Sequence, residues 1–433
     1  MDWTGQVLRL RVEGPAHGGE FVARHEGRVV FCRGGITGEL VDVLVDEDPG
    51  RAFCRGTVHA VVESSPARVD TFCPAAAAGA GCCDWSHIAP AAARDFTGQI
   101  LAEQAARIGR VEWSRPTVSV DLPAGDEAVT GWRTVARWVT DPEGRPAVRR
   151  ARSRELVTTP CVQPDPRILH AAGSAGIAPG REILGVLGDD GSVHIAHRPA
   201  VTDRPGGHRS RRSAATRARA RHSRAGAWVI ALGGPTVVRQ VGERTWTLPV
   251  DAFWQPHRSG ATHYSEVVRA AAATSPGLSC EPVVWDLYGG AGVFAAAVLD
   301  AFPRPQVTVV ESSNASVGAV TTGLGKSSRV RTVCSRVESY LGGGQARAED
   351  GDPDLVILDP PRGGAGVAVM EQLAAVTRSR IIHVGCDPAS LARDVGVLVS
   401  AGWVLRDLRG VSAFPGTHHV EGIAVLDSPL TRS

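Results

Sequence analysis

The chain has 433 residues, of which 43% are hydrophobic and 21% charged, and its formal net charge is +2. This length allows two or three domains with buried cores, and the small net charge neither favours nor excludes a nucleic-acid partner. No run reaches the roughly 18 apolar residues of a membrane helix, and the N-terminal sequence MDWTGQVLRLRVEG lacks the apolar core of a signal peptide. We therefore expect a cytoplasmic protein without membrane association. Nine cysteines in such a chain do not indicate a disulfide framework.

Residues 1–64 contain short alternating runs, such as QVLRLRVE and ELVDVLVDE, separated by turn residues. This spacing predicts a small antiparallel β-barrel of about five strands. Barrels of this size often carry oligonucleotides, and a purely structural β module fits the pattern equally well.

Residues 65–245 form a predicted central domain of mixed structure. It begins with a cysteine-bearing loop and continues with apolar residues at helical spacing, which predict a helix near residues 94–109. Later, the segment 204–224 contains eight arginines and no acidic residue. Such a run is either a solvated loop or an electrostatic contact for a phosphate backbone, and nothing else in the chain needs so much local charge.

Residues 246–433 show apolar strands alternating with helices, which predicts an α/β domain with a parallel sheet covered on both faces. Ligands of such sheets bind at the carboxyl ends of the strands. The residues that directly follow each apolar run are therefore the candidates for a site.

The first two strand ends favour a nucleoside-bearing cofactor. DLYGGAGVF places Gly290 and Gly292 at a tight turn into a helix, and the next strand ends at Glu311, whose carboxylate could accept both hydroxyls of a ribose. A nicotinamide cofactor is the obvious competitor for a glycine turn. It is disfavoured because Asp286 precedes the glycines and the full G-x-G-x-x-G spacing is missing.

Three later strand ends carry reactive side chains. DLVILDPPRGG places Asp359 before two prolines that rigidify the turn, as in the substrate-base clamp of nucleic-acid methyltransferases. RIIHVG delivers Cys386 to a loop, where a reactive thiol belongs. Glu421 opens an apolar strand after two histidines and is either a solvated edge residue or a catalytic base.

Four motifs in this order, DLYGGAG, DPPRGG, GCDPASLARD and FPGTHHVE, together with the preceding FWQPH, resemble those of the RNA uracil-C5 methyltransferases. The N-terminal module resembles a TRAM domain, and together with the cysteine loop it extends the resemblance to the 23S ribosomal RNA branch over nearly the whole chain. The resemblance implies a class I, Rossmann-like S-adenosylmethionine-dependent methyltransferase fold at the C-terminus, preceded by a TRAM or OB-like barrel and a mixed central domain.

The resemblance also implies roles for individual residues. Cys386 matches the nucleophile and Glu421 the proton-abstracting base. The remaining matches concern the cofactor and the target base: S-adenosylmethionine would be bound by Gln255, Tyr288, Gly290, Glu311 and Asp359, and the substrate by Phe253, Asp359 and Arg362. Gly289 stands where many relatives carry cysteine.

Many relatives also hold a 4Fe-4S cluster. Cys73, Cys83 and Cys161 fit three of its ligand positions, whereas the middle ligand departs from the family pattern because Ala80 and Cys82 replace the usual Cys-Gly-Gly-Cys spacing. Cys82 could substitute as the fourth ligand. A bound cluster, a loop of free thiols and a zinc site therefore remain the alternatives.

These features predict a monomeric enzyme that makes 5-methyluridine in structured RNA, ribosomal RNA rather than transfer RNA, through a covalent Cys386 adduct at uracil carbon 6. A transfer RNA uridine-C5 methyltransferase and a noncatalytic RNA-binding or ribosome assembly factor are the alternatives. An RNA cytosine-C5 methyltransferase is a nearer enzymatic rival, but those enzymes usually carry a Pro-Cys turn where this chain has Asp359-Pro360-Pro361.

Overall fold

The computed structural model describes residues 2–50, 52–113, 119–121, 129–201, 226–343, 349 and 351–429. The arginine-rich segment 204–224 lies outside the described residues. Within the described part of the chain, no helix has the length and apolar character needed to cross a membrane.

The N-terminal strands form a closed barrel in the order β1-β2-β3-β5-β4, which confirms the predicted five-stranded barrel. Its core is built by alternation, since Val41, Val43 and Val45 point inward and are almost fully buried. One pairing differs from the expected antiparallel pattern: β3 and β5 run parallel, because β4 lies on the far side of β5 next to β1. The strands are β1 Val7–Pro15, β2 Phe21–His25, β3 Arg28–Arg33, β4 Leu40–Glu47 and β5 Phe53–Glu63.

The central part is built on a six-stranded antiparallel sheet in the order β12-β11-β10-β7-β8-β9, next to the hairpin β13-β14. Trp246 of the hairpin is fully buried, and its indole N–H donates to the carbonyl of Ala291, 2.9 Å away. This bond attaches the hairpin to the glycine turn of the C-terminal unit. The strands are β7 Val135–Thr140, β8 Pro146–Arg149, β9 Leu156–Val157, β10 Arg181–Leu187, β11 Val193–Pro199, β12 Val229–Leu232, β13 Thr236–Val241 and β14 Arg244–Pro249.

The C-terminal sheet has the order β17-β16-β15-β18-β19-β21-β20-β6. Its first five strands are parallel, and β21 runs antiparallel to β19 and β20, as in a class I methyltransferase fold. This confirms the predicted α/β fold. The strands are β6 Ser119–Asp121, β15 Val283–Leu287, β16 Gln306–Glu311, β17 Val330–Cys334, β18 Leu355–Leu358, β19 Arg380–Gly385, β20 Val404–Ser412 and β21 Glu421–Asp427.

The helices include the one predicted near residues 94–109, which spans Pro90–Arg107. They are α1 Pro74–Ala77, α2 Pro90–Arg107, α3 Pro166–Ser174, α4 Gly260–Ala273, α5 Val293–Ala301, α6 Asn314–Leu324, α7 Val337–Gly342, α8 Val367–Val376 and α9 Pro388–Ser400. Helix α2 packs against α9, and β6 extends the C-terminal sheet by pairing with β20. Part of segment 65–245 therefore packs on the C-terminal unit, and the domain limits at 64 and 245 stay a prediction.

The close packing of α2 on α9 leaves no space for a side chain at Gly396. A Cβ at this position would lie 2.5 Å from the carbonyl oxygen of Gly109, a backbone atom that cannot rotate away. We expect Gly396→Ala to lower the free energy of unfolding by about 1–3 kcal/mol, as overpacking does. Gly318→Ala in α6 is the matched control, because a Cβ there meets no atom within 4 Å. Urea unfolding followed by tryptophan fluorescence compares the two, and equal midpoints would contradict this account.

Candidate active site

A cavity of about 830 Å³ opens at the carboxyl ends of the parallel strands. Sequence analysis named nine residues for cofactor, substrate or catalysis, and all of them line this cavity: Phe253, Gln255, Tyr288, Gly290, Glu311, Asp359, Arg362, Cys386 and Glu421. The four cysteines proposed as metal ligands do not line it.

The glycine turn and Glu311 form one side of the cavity. Gly290 and Gly292 have φ angles of 54° and 80°, which favour glycine, and Gly292 begins helix α5. The backbone N–H of Gly290 donates to one oxygen of Glu311 at 3.2 Å, and the N–H of Ser313 donates to the other at 2.7 Å. A carboxylate accepts about four hydrogen bonds, so Glu311 retains acceptor capacity for a ligand.

The structure gives a reason for glycine at position 289. A Cβ there would lie 2.6 Å from a methyl group of Val309 and 3.0 Å from the carboxyl of Asp286. Asp286 is fully buried and accepts the N–H of Ala295 at 3.0 Å, which fixes helix α5 to the end of β15. A side chain at Gly289 would disturb this contact.

Strand pairing brings Cys386 and Glu421 together. Gly385 of β19 pairs with Gly422 of the antiparallel β21. Cys386, which follows Gly385, and Glu421, which precedes Gly422, therefore lie side by side. Asp359 follows β18, the parallel neighbour of β19. The prediction that Glu421 opens a strand and that Cys386 and Asp359 follow strands is confirmed.

Burial strongly perturbs these three acidic groups. It raises the pKa of Cys386 to about 12, with further contributions from the charges of Glu421 and Asp359. It also raises the pKa of Asp359 to about 7 and that of Glu421 well above its ordinary value. One carboxylate oxygen of Glu421 has no hydrogen-bond partner among the described residues. The site thus holds an uncharged thiol beside two carboxyl groups that are readily protonated.

Three further predicted residues line the wall and the rim of the cavity, namely Phe253, Arg362 and Tyr288. Phe253 is 70% exposed, which is unusual for a phenylalanine and leaves its ring free to stack on a ligand. Arg362 is also exposed, and its charge lowers the pKa of Cys386 and of Glu421. Tyr288 has a φ of 58°, a strained conformation for a non-glycine residue that places it at the cavity wall.

Tyr264, a residue that the sequence does not single out, also lines the cavity. Its side chain is fully buried on helix α4, and its hydroxyl makes no hydrogen bond within the described part of the chain. Burial and the charges of Glu421, Asp359 and Cys386 raise its pKa. The hydroxyl is therefore a proton-bearing donor next to the reactive groups. A tyrosine at helical spacing looks like a core residue, so the sequence contained no signal for this position.

The four predicted metal ligands converge at a second place. Their sulfur atoms all lie within 4.8 Å of one another, and those of Cys83 and Cys161 are 3.7 Å apart. The loop with these cysteines contacts the loop before Glu421, because the backbone N–H of Trp85 donates to the carbonyl of Gly416 at 3.0 Å. The cysteine cluster therefore lies next to the loop that leads into the strand beginning at Glu421.

The turn between β1 and β2 of the barrel reaches the same region. His17 pairs with Asp387, the residue after Cys386, at 3.3 Å. Gly19 packs so closely that a Cβ there would lie 2.5 Å from Asp84 and 2.7 Å from His418, and these two residues hydrogen-bond to each other. The barrel thus contacts both loops that carry the reactive residues.

Comparison with known proteins agrees with this architecture. Residues 3–57 match the TRAM domain model. An uncharacterised RNA methyltransferase of Corynebacterium glutamicum is 35% identical over 434 residues, covering 97% of each chain. The chain belongs to this RNA methyltransferase family. A second member, from Streptomyces avermitilis, is 31% identical and covers 98% of each chain.

A solved structure shares the fold of this RNA methyltransferase. The Pyrococcus abyssi tRNA (uracil-54, C5)-methyltransferase, in complex with S-adenosyl-L-homocysteine, superposes with a TM-score of 0.63 over 96% of this chain and 99% of that chain. The sequence identity is 16%, so the likeness shows the fold alone.

The raised pKa of Cys386 predicts slow alkylation. A thiol with a pKa near 12 is about 10⁻⁴ thiolate at pH 8, against roughly a quarter for an ordinary thiol. We expect iodoacetamide to label Cys386 at least a hundredfold more slowly than the exposed Cys334, with a rate that rises about tenfold per pH unit. Glu421→Gln removes a charge that raises this pKa, so it should accelerate labelling at pH 9. Peptide mass spectrometry measures both rates, and similar rates for the two cysteines would refute the prediction.

Proposed function

We propose that this RNA methyltransferase uses S-adenosylmethionine to make 5-methyluridine in 23S ribosomal RNA, through a covalent Cys386 adduct at carbon 6 of uracil. The observation that carries the proposal is the placement of Cys386 beside Asp359 and Glu421 in a single cavity that is also lined by Glu311. A thiol, a base and a ribose acceptor are the groups that this reaction needs.

S-adenosylmethionine supplies the methyl group. Glu311 would accept the ribose hydroxyls, and the turn at Tyr288 and Gly290 would lie along the adenosine and methionine. Gln255 and Asp359, which line the same cavity, would contact both the cofactor and the target base. Asp359, with its pKa near 7, can donate a hydrogen bond to a uracil oxygen on which negative charge develops.

Carbon 5 of uracil is a poor nucleophile, so a group must first add at carbon 6. The sulfur of Cys386 forms a bond to carbon 6, the electrons of the carbon 5–carbon 6 double bond move toward carbon 5 and the adjoining carbonyl, and carbon 5 becomes nucleophilic. Because burial keeps Cys386 protonated in the free protein, its proton must leave as the sulfur adds. Cys386 is only partly buried, so this proton passes to water at the cavity mouth, and Glu421 is left free for the later step.

After carbon 5 has gained the methyl group, its proton must be removed. Glu421 takes this proton, the electron pair re-forms the double bond, and the bond between carbon 6 and sulfur breaks to release Cys386. The proton that Glu421 takes from carbon 5 then returns to the departing sulfur of Cys386. The buried hydroxyl of Tyr264 has no hydrogen-bond partner among the described residues and would donate to Glu421 in its ionised form.

The RNA must present a uridine outside the base stack, because carbon 5 is shielded in a helix. The exposed ring of Phe253 would stack on a base, and Arg362 would contact a phosphate near the cavity mouth. The TRAM barrel and the segment 204–224 would add contacts to structured RNA. We propose a monomer, since one chain supplies every group that the chemistry uses, and cytoplasmic localisation stays a prediction.

Two alternatives are distinguished by specific features. A noncatalytic RNA-binding or ribosome assembly factor would have no use for a thiol packed between two carboxyl groups at the end of a cavity. Transfer RNA is the second candidate substrate, and the structural likeness to a tRNA (uracil-54, C5)-methyltransferase favours testing it. The four clustered cysteines do not line the cavity, so their metal content is a question separate from methyl transfer.

The roles of Cys386 and Glu421 predict different failures. With unmodified RNA and labelled S-adenosylmethionine, Cys386→Ala should transfer no methyl group and form no adduct. Glu421→Gln should reduce turnover about 10²–10⁴-fold, as for loss of a general base, and should accumulate a covalent protein–RNA adduct that survives denaturation. Cys334→Ser should behave as the wild type. Full activity of Glu421→Gln would refute its role, and wild-type label with Cys386→Ala would refute the enzyme mechanism.

The trapped adduct also identifies the RNA. When Glu421→Gln is incubated with total RNA from cells lacking the gene, we expect 23S ribosomal RNA fragments to remain bound after denaturation. Nuclease digestion and sequencing of the bound fragments would locate the uridine, and nucleoside analysis would distinguish 5-methyluridine from 5-methylcytidine. Recovery of transfer RNA alone would reject the ribosomal substrate while leaving the chemistry intact.

A further inference from the structure

The sulfur atoms of the four clustered cysteines, Cys73, Cys82, Cys83 and Cys161, are closer together than a 4Fe-4S cluster requires. A 4Fe-4S cube is held by four cysteines on four different irons, so their sulfur atoms point outward from the corners and stand roughly 6 Å apart. Here all four sulfur atoms lie within 4.8 Å of one another. The cube does not fit between them.

A single ion does fit. Zinc binds thiolate sulfur at about 2.3 Å with tetrahedral geometry, which places the four sulfur atoms about 3.8 Å apart. The sulfur atoms of Cys83 and Cys161 are 3.7 Å apart. We propose that Cys73, Cys82, Cys83 and Cys161 bind one tetrahedral zinc ion in place of an iron–sulfur cluster. The inference does not depend on the proposed methyl transfer.

The adjacent pair Cys82-Cys83 supports a single ion. The Cα atoms of consecutive residues are 3.8 Å apart, so two adjacent thiolates reach separate corners of a cube only if their side chains diverge. The chain bends at residues 81 and 82, and both side chains turn toward Cys161 instead. Ala80, which stands at the usual ligand position, is buried beside the cluster and offers no donor atom. Cys82 therefore supplies the fourth thiolate of the tetrahedral site.

The surroundings exclude water. Cys73, Cys83 and Cys161 are buried among alanine and valine side chains. A closed site with four protein ligands is a structural zinc site, because no position remains open for a substrate.

Such an ion would hold in place the loops that contact the residues of the candidate active site. Gln163 links the two regions: its amide donates to the carbonyl of Cys82 at 2.8 Å, and its oxygen accepts from Arg133, which lines the cavity. Asp84, next to Cys83, binds His418, three residues before Glu421. The ion would thereby hold the cysteine loop in the position that these contacts need.

The test is the metal content of the full chain. The protein is produced with both iron and zinc in the medium, purified without oxygen and without chelators, and analysed for metals and acid-labile sulfide. We expect one zinc and no sulfide per chain. Four irons with four sulfides would overturn the proposal, and so would a metal-free protein with four alkylatable thiols.

A second experiment tests whether zinc has merely replaced an iron–sulfur cluster that was lost during purification. Incubation of the metal-free protein with iron and sulfide under anaerobic conditions should not build a cluster, whereas cobalt(II) should give the intense visible absorption of a tetrahedral thiolate site. X-ray absorption of the zinc protein should show one shell of sulfur at about 2.3 Å and no metal–metal distance. Assembly of a stable cube would overturn the proposal.

Ligand variants connect the metal to its cysteines. Cys82→Ser should lower zinc occupancy severalfold after dialysis, while Cys334→Ser, at an exposed cysteine of the C-terminal sheet, should leave one zinc per chain. Full zinc retention by Cys82→Ser would refute the assignment of Cys82. Failure of either metal test would leave the proposed methyl transfer untouched, because that activity is measured independently.

Discussion

The structure depends on the burial of three acidic groups in one place. Cys386, Asp359 and Glu421 share a cavity wall where each is at least partly buried, and each negative charge opposes the formation of the next. The free site therefore holds its protons. A ligand that brings positive charge or new hydrogen-bond donors, as a sulfonium cofactor and a pyrimidine edge do, changes this balance. In the proposed reaction, the thiol would then lose its proton only after both ligands have bound.

The fold explains why these groups meet although they are distant in sequence. Parallel strands end at the same edge of a sheet, and the antiparallel β21 enters that edge from the opposite direction, so its first residue faces the last residues of β19. No rearrangement of the backbone is needed to bring the thiol and the carboxyl together. The strained Tyr288 and the left-handed glycines lie at the neighbouring strand end, where the chain turns sharply around the space for a cofactor.

The sequence allowed the fold and most of the candidate site to be predicted, because strand ends are visible as the limits of apolar runs. Glu311, Asp359 and Cys386 follow directly from that pattern, whereas Phe253 and Gln255 lie in a loop and could be named only through the resemblance. Tyr264 could not be predicted, since its burial next to Glu421 arises from the packing of α4. The parallel pairing of β3 with β5 and the addition of β6 to the C-terminal sheet are likewise long-range contacts without a local signal.

The contact of the barrel with Asp387 has an evolutionary consequence. The β1-β2 turn presents His17 to the residue after the thiol, and a side chain at Gly19 would collide with Asp84 and His418. A barrel exchanged for another would have to reproduce both features for these contacts to form. A change on one side of the contact would therefore require a compensating change on the other.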